Sequence, residues 1–218
     1  MINSDFIIVL AWPEGETTAA GAWYDSFCAT NGKYRVGHSA LILINSENKE
    51  LLYFDFGRYH TPTGFGRVRD KETDPDIGIP ISAEIEDNRI KNIEEILVYT
   101  KNKKANHGEG KLYASILKNV NFISSYRFAK KIQEKGIIPY GPFVPKGSNC
   151  SRFVSATIRK SNPSLIKNLR LQFPFSLSPS PKRNVSISNN NYYVIEKNKF
   201  EKIKRNKING YFRGIERK

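Results

Sequence analysis

Gly147-Ser148-Asn149-Cys150-Ser151-Arg152-Phe153-Val154 is the stretch around which the rest of the chain can be arranged. Ser148 or Asn149 can cap a helix running from Cys150 to Lys160, with Phe153, Val154, Thr157 and Ile158 on one apolar face. A cysteine in the first turn of a helix meets unpaired amides and the positive end of the dipole. Both favour thiolate over thiol. The same amides can hold an oxyanion during acyl transfer. The plainer reading of the position is a buried, inert cysteine, since free cysteine packs as a small hydrophobe.

A nucleophilic thiolate needs a base, and the chain has three histidines: His38, His60 and His107. His38 opens the branched run His38-Ser39-Ala40-Leu41-Ile42-Leu43-Ile44, a rigid strand edge for an imidazole. A third group should orient the ring and fix its tautomer. Asp55 sits between Phe54 and Phe56 in the next strand-like run, so its side chain faces away from theirs. That face is either a site or plain solvent-exposed surface. His60, in a polar loop, competes with Asp55 as orienter, while His107 lies in the loop Asn106-His107-Gly108 with no evident partner.

These residues resemble a known group. A Gly37-His38 strand, a neighbouring strand with a polar residue, and Asn149-Cys150-Ser151-Arg152-Phe153-Val154 at a helix start are similar to the circularly permuted NlpC/P60-type cysteine hydrolases. That papain-like group includes the lecithin:retinol acyltransferase-like proteins, whose motif has Glu-His where Ser151-Arg152 stand here. Ala11-Trp12-Pro13-Glu14, Gly21-Ala22-Trp23-Tyr24-Asp25, Tyr53 to Pro62 and Pro139-Tyr140-Gly141-Pro142-Phe143 look closer to an uncharacterised bacterial family of Bacteroidota. The resemblance spans about residues 6–160. It implies that Cys150 attacks a carbonyl, His38 moves the proton, Asp55 orients His38, and the Cys150 amide helps hold the oxyanion. It also implies an α+β, permuted papain-like fold, with a small antiparallel sheet packed on the cysteine-bearing helix.

The other segments fit that class. Phe6 to Trp12 reads as a buried first strand, too short and lacking the basic flank for a signal core. Val36 to Ile44 and Leu51 to Phe56 read as an antiparallel hairpin. Ala19, Ala20, Ala22, Trp23, Phe27 and Cys28 offer a helical stripe, and residues 57–80 read as one long loop. Strand or short-helix signals lie at Ile79-Pro80-Ile81 and Ile93 to Val98, and a helix signal at 121–135, stopped by Gly136. The linker-like stretch Pro174 to Pro181 sets the expected boundary: an NlpC/P60-like domain over 1–175 and a basic extension over 176–218.

Composition narrows the function. The chain has 218 residues and a net charge of +14, and residues 181–218 carry 11 basic and 3 acidic side chains. Such a tail suits an anionic partner or is simply a solvated surface. Two cysteines make neither a disulfide framework nor a zinc site, and no cofactor or metal is expected. No apolar run is long enough for a transmembrane helix. Synthesis in the cytoplasm without a signal peptide is the expectation, with export by a non-Sec route open.

In the loop, Arg58, His60, Arg67 and Arg69 could bind a substrate carboxylate or phosphate. The arginines could equally bridge Asp70, Glu72, Asp74 or Asp76. The reading reached is a thiol hydrolase acting on a peptide, amide or acyl substrate, with cell-wall peptides among the candidates. Its rival is an inactive or non-enzymatic module that binds an anionic partner through the tail. A third reading is an interbacterial effector, a cell-wall hydrolase that leaves the cell by a route needing no signal peptide.

Overall fold

Seven of the eight residues of Asp5–Trp12 (β1) are buried, as a strand covered on both faces requires. The computed structural model describes residues 5–19, 26, 30–142, 144, 146–172, 178–197, 199–206, 210 and 214–215. After β1 come Glu16–Thr18 (β2), Lys33–Arg35 (β3), His38–Ile44 (β4), Leu51–Gly57 (β5), Phe65–Arg69 (β6), Ile85–Glu86 (β7) and Arg89–Ile90 (β8). Ile93–Asn102 (α1), Leu112–Val120 (β9), Phe122–Gln133 (α2), Ile138–Pro139 (β10) and Cys150–Lys160 (α3) follow. Leu165–Gln172 (α4), Pro181–Ser188 (α5), Tyr192–Glu196 (β11) and Lys199–Ile203 (β12) complete the order.

The main sheet has eight strands in the order β10-β6-β5-β4-β1-β9-β11-β12, paired antiparallel throughout. Strand alternation sends β1 side chains to two cores. Phe6, Ile8, Leu10 and Trp12 pack with Ala40, Ile42 and Ile44, under Ile96 and Leu97 of α1. Ile7, Val9 and Ala11 pack with Leu41, Leu43, Phe54 and Phe56, under Phe153, Val154 and Ile158 of α3 and Val185 and Ile187 of α5. The sheet is thus an apolar layer between helices, and α3 presents its N-terminus where β4 begins.

Several expectations change. The sheet is not small. The supposed loop 57–80 contains β6, which extends the sheet beyond β5, with Val68 buried and Gly66 close against the Gly57 carbonyl. Ile79-Pro80-Ile81 forms no strand, though Ile79 is buried. Leu112–Val120, left unassigned by pattern, is a strand beside β1 at the middle of the sheet. Its alternation is masked because both faces are covered, so Ser115 and Leu117 are as hidden as Ala114. The segment set apart as a basic extension supplies α5, β11 and β12 to the same sheet and cores, with β11 paired to β9. Of the stripe expected near residue 20, Ala20, Ala22, Trp23, Phe27 and Cys28 lie outside the described residues, as do residues 21–25 and Phe143.

Candidate active site

Asn149 has an extended backbone, and its side-chain oxygen accepts the Arg152 N–H at 2.9 Å. It therefore caps α3, and Cys150 is the first helical residue, 5% exposed. Burial pushes the Cys150 thiol pKa up. The hydrogen bond and charge of His38, the Ser151 hydroxyl and the Ser39 amide together pull it below its ordinary value.

His38 reaches this helix because of its neighbour. Gly37 has φ of +66°, and a Cβ there would lie 2.5 Å from the Trp12 carbonyl oxygen. Only glycine lets the chain turn into β4 that tightly. His38 then pairs with Trp12 across the β1–β4 ladder and stacks on its ring at 5.7 Å.

Asp55, on the next strand, is wholly buried rather than on a solvated face. Its Oδ2 lies 3.2 Å from His38 Nε2 and accepts from the Tyr53 hydroxyl at 3.2 Å and the Tyr59 hydroxyl at 3.1 Å. Arg69 donates from Nε to Oδ1 at 3.0 Å and from Nη2 to Oδ2 at 2.7 Å. Burial would raise the Asp55 pKa, but the His38 and Arg69 hydrogen bonds and charges bring it down to about 2. An ionised carboxylate only accepts, so the His38 Nε2 carries the proton and Nδ1 is the nitrogen left for Cys150. Burial would lower the His38 pKa, yet bonding to Asp55 and Cys150 and their charges raise it to about 9. The raised imidazole pKa and the lowered thiol pKa both shift the pair toward imidazolium and thiolate. Such a pair can attack a carbonyl and return a proton to the leaving group.

A family model described as type VI secretion system effector TseH-like matches residues 7–165, a span holding His38, Asp55 and Cys150. The chain belongs to that family. A solved crystal structure titled type VI secretion system effector, TseH, has the same fold. It superposes with a TM-score of 0.58 at 19% identity, over 91% of this chain and 97% of that chain. No curated protein sequence matches the chain.

In this TseH-like chain, Cys150, His38 and Asp55 come together from α3, β4 and β5. His60 does not join them: it is exposed, with left-handed backbone, and the hydrogen-bond partners of His38 Nε2 are Asp55 and Tyr59. Arg67 grips Asp74 through both terminal nitrogens at 2.6 Å and bonds the Tyr59 carbonyl, so it follows the internal-bridge alternative. Arg69, expected to face substrate, is 3% exposed and tied to Asp55, an acid outside the expected set. Register explains this: Asp55 and Arg69 are direct partners across the β5–β6 ladder. Arg58 lies over the Tyr140 ring at 5.7 Å.

Sequence reasoning passed over four contributors. Tyr53 and Tyr59 are kept protonated by burial and by the Asp55 charge, so they remain donors. Burial and the neighbouring Cys150 charge raise the Tyr140 pKa, so its hydroxyl stays protonated beside the thiol. His107 stacks on Tyr59 at 5.3 Å, and burial and Arg69 lower its pKa. Tyr53 and Asp55 share one face of β5, a period-two signal that was available. Tyr140 and His107 come from distant loops and carry no such signal. Among the described residues no helix is long and apolar enough to cross a membrane.

Proposed function

We propose that this chain is a thiol hydrolase of the permuted papain-like, NlpC/P60 type that cleaves an amide or ester bond, with cell-wall peptides as substrate class. The observation that carries the reading is that His38, bonded to Asp55 at 3.2 Å, lies beside Cys150 at the capped start of α3. Cys150 Sγ adds to the carbonyl carbon, and the oxygen that becomes negative is held by amides at the α3 N-terminus. His38 gives its Nδ1 proton to the leaving group as the tetrahedral adduct collapses. It then takes a proton from the water that releases the acyl group. Asp55 keeps the ring oriented and stabilises its charged form. Membership of an effector family supports export by the type VI route rather than by a signal peptide.

The test is iodoacetamide labelling against pH, read separately at Cys150 and Cys28 by mass spectrometry. Cys150 should label fast well below pH about 8.5, the value of an ordinary thiol. His38→Ala should abolish that advantage in a protein that still melts cooperatively. An inert Cys150, or one that titrates as an ordinary thiol in both proteins, refutes the reading. With the dyad established, amide and ester substrates, including cell-wall peptides, can be screened for turnover that Cys150→Ala loses.

A further inference from the structure

Arg69 is a buried cation that makes several contacts at once. It makes two bonds to Asp55, a third from Nη2 to the Ala105 carbonyl at 3.1 Å, and places its guanidinium 3.4 Å from the centre of the Tyr59 ring. That ring carries the hydroxyl that bonds Asp55 and lies 3.3 Å from His38 Nε2. Ala105 belongs to the turn that brings His107 onto the same ring. One side chain thus touches the carboxylate, the tyrosine and the turn that surround His38.

We propose that Arg69 is a positioning residue of the hydrolase site: it holds the Asp55 carboxylate in one orientation toward His38 and balances its charge, so that Asp55 orients the imidazole without keeping its proton. The inference rests on the reading of His38 as the base. A purely stabilising role is a poor account of the geometry. Buried ion pairs are often no better for stability than apolar residues of similar size. This one lies beside the imidazole instead of in either apolar core. The fork also suits a carboxylate that must share one oxygen. Oδ1 bonds Arg69 Nε, while Oδ2 serves His38, Tyr53, Tyr59 and Arg69 Nη2. A lysine could supply the charge but not both directions.

The decisive readout is the titration of the His38 imidazole by NMR in full-length protein, with the signal assigned by its loss in His38→Ala. The ionisable groups facing the ring or one step behind it are Asp55, Cys150, Tyr59, Tyr53, Arg69 and His107. Arg69→Gln leaves Asp55 unbalanced, so His38 should titrate at higher pH, by about one pH unit. Arg69→Lys should restore most of the wild-type value. In an Asp55→Asn background Arg69→Gln should shift His38 clearly less, because only the direct effect of the guanidinium on the ring is left once the carboxylate it holds is gone. The double variant also removes both charges together, which keeps the comparison usable if Arg69→Gln alone unfolds.

An unchanged His38 titration in folded Arg69→Gln overturns the proposal. So does a shift that persists undiminished in the Asp55→Asn background. Alkylation of Cys150 is read in parallel. If wild-type Cys150 behaves as an ordinary thiol, the hydrolase reading fails, while the His38 titration still decides whether Arg69 sets the imidazole.

Discussion

Gly37 sets how the chain enters β4 at His38. Its φ is +66°, and an added Cβ would meet the backbone of Trp12 and Pro13. Gly64 is a natural control: its φ is +83°, but nothing lies within 4 Å of where a Cβ would stand. Gly64→Ala should cost about 1–2 kcal/mol, the strain of left-handed backbone alone. Gly37→Ala should cost clearly more, because fixed backbone must move. It should also slow Cys150 alkylation, because His38 moves with it. Thermal or urea unfolding of the two variants, paired with labelling rates, makes the comparison. Equal stability losses would show that the Trp12 contact gives way freely.

Among the elements, the C-terminal group departs most from its expected role. Pro181 opens α5 in its first turn, Ser180 caps it, and Val185 and Ile187 enter the core below β1 and β9. Ser115 on β9 donates to the Val185 carbonyl, and Asn184 on α5 donates to the Ser151 carbonyl of the cysteine helix. Arg205 closes the far end of α5 with bonds to the Ser186 and Asn189 carbonyls. Ending the chain at residue 180 should therefore abolish cooperative folding rather than remove a tail. Loss of the thermal transition by circular dichroism is the expected result. A truncated protein that melts like wild type would restore the view of this segment as an appendage.

For the molecule as a whole, the site couples stability to pH with two opposite signs. Asp55 has its pKa lowered from 3.8 to about 2, so its contribution is complete above the first value and disappears as pH falls through the second. The difference corresponds to about 2 kcal/mol. His38 has its pKa raised from 6.5 to about 9, so its contribution is complete below 6.5 and is lost as pH rises through 9. The melting temperature should fall on either side of the interval between 3.8 and 6.5 as far as these groups govern it. His38→Gln should flatten the alkaline side relative to wild type, and Asp55→Asn the acid side. Parallel profiles for wild type and both variants would mean that neither group is linked to folding in this way.

The residues that were readable one at a time were those with local rules. Asn149 before Cys150 is a cap ahead of an apolar helical stripe, and β1, β4 and β5 are runs of branched and aromatic residues. Local pattern also singled out Cys150, His38 and Asp55, because a helix start and period-two strands constrain where each side chain points. It did not assign Arg69. Its charge is equally suited to a substrate or to an internal acid, and only the pairing of β5 with β6 put Asp55 opposite it. Nor did pattern assign β9 and β12. A strand hidden on both faces loses its alternation, and a lysine-rich strand at the sheet edge looks like solvated tail until its partner is known. The sequence by itself determined where a thiol and an imidazole could be presented. Tertiary structure alone decided which charges surround them, since a guanidinium takes whichever carboxylate the sheet register brings within reach.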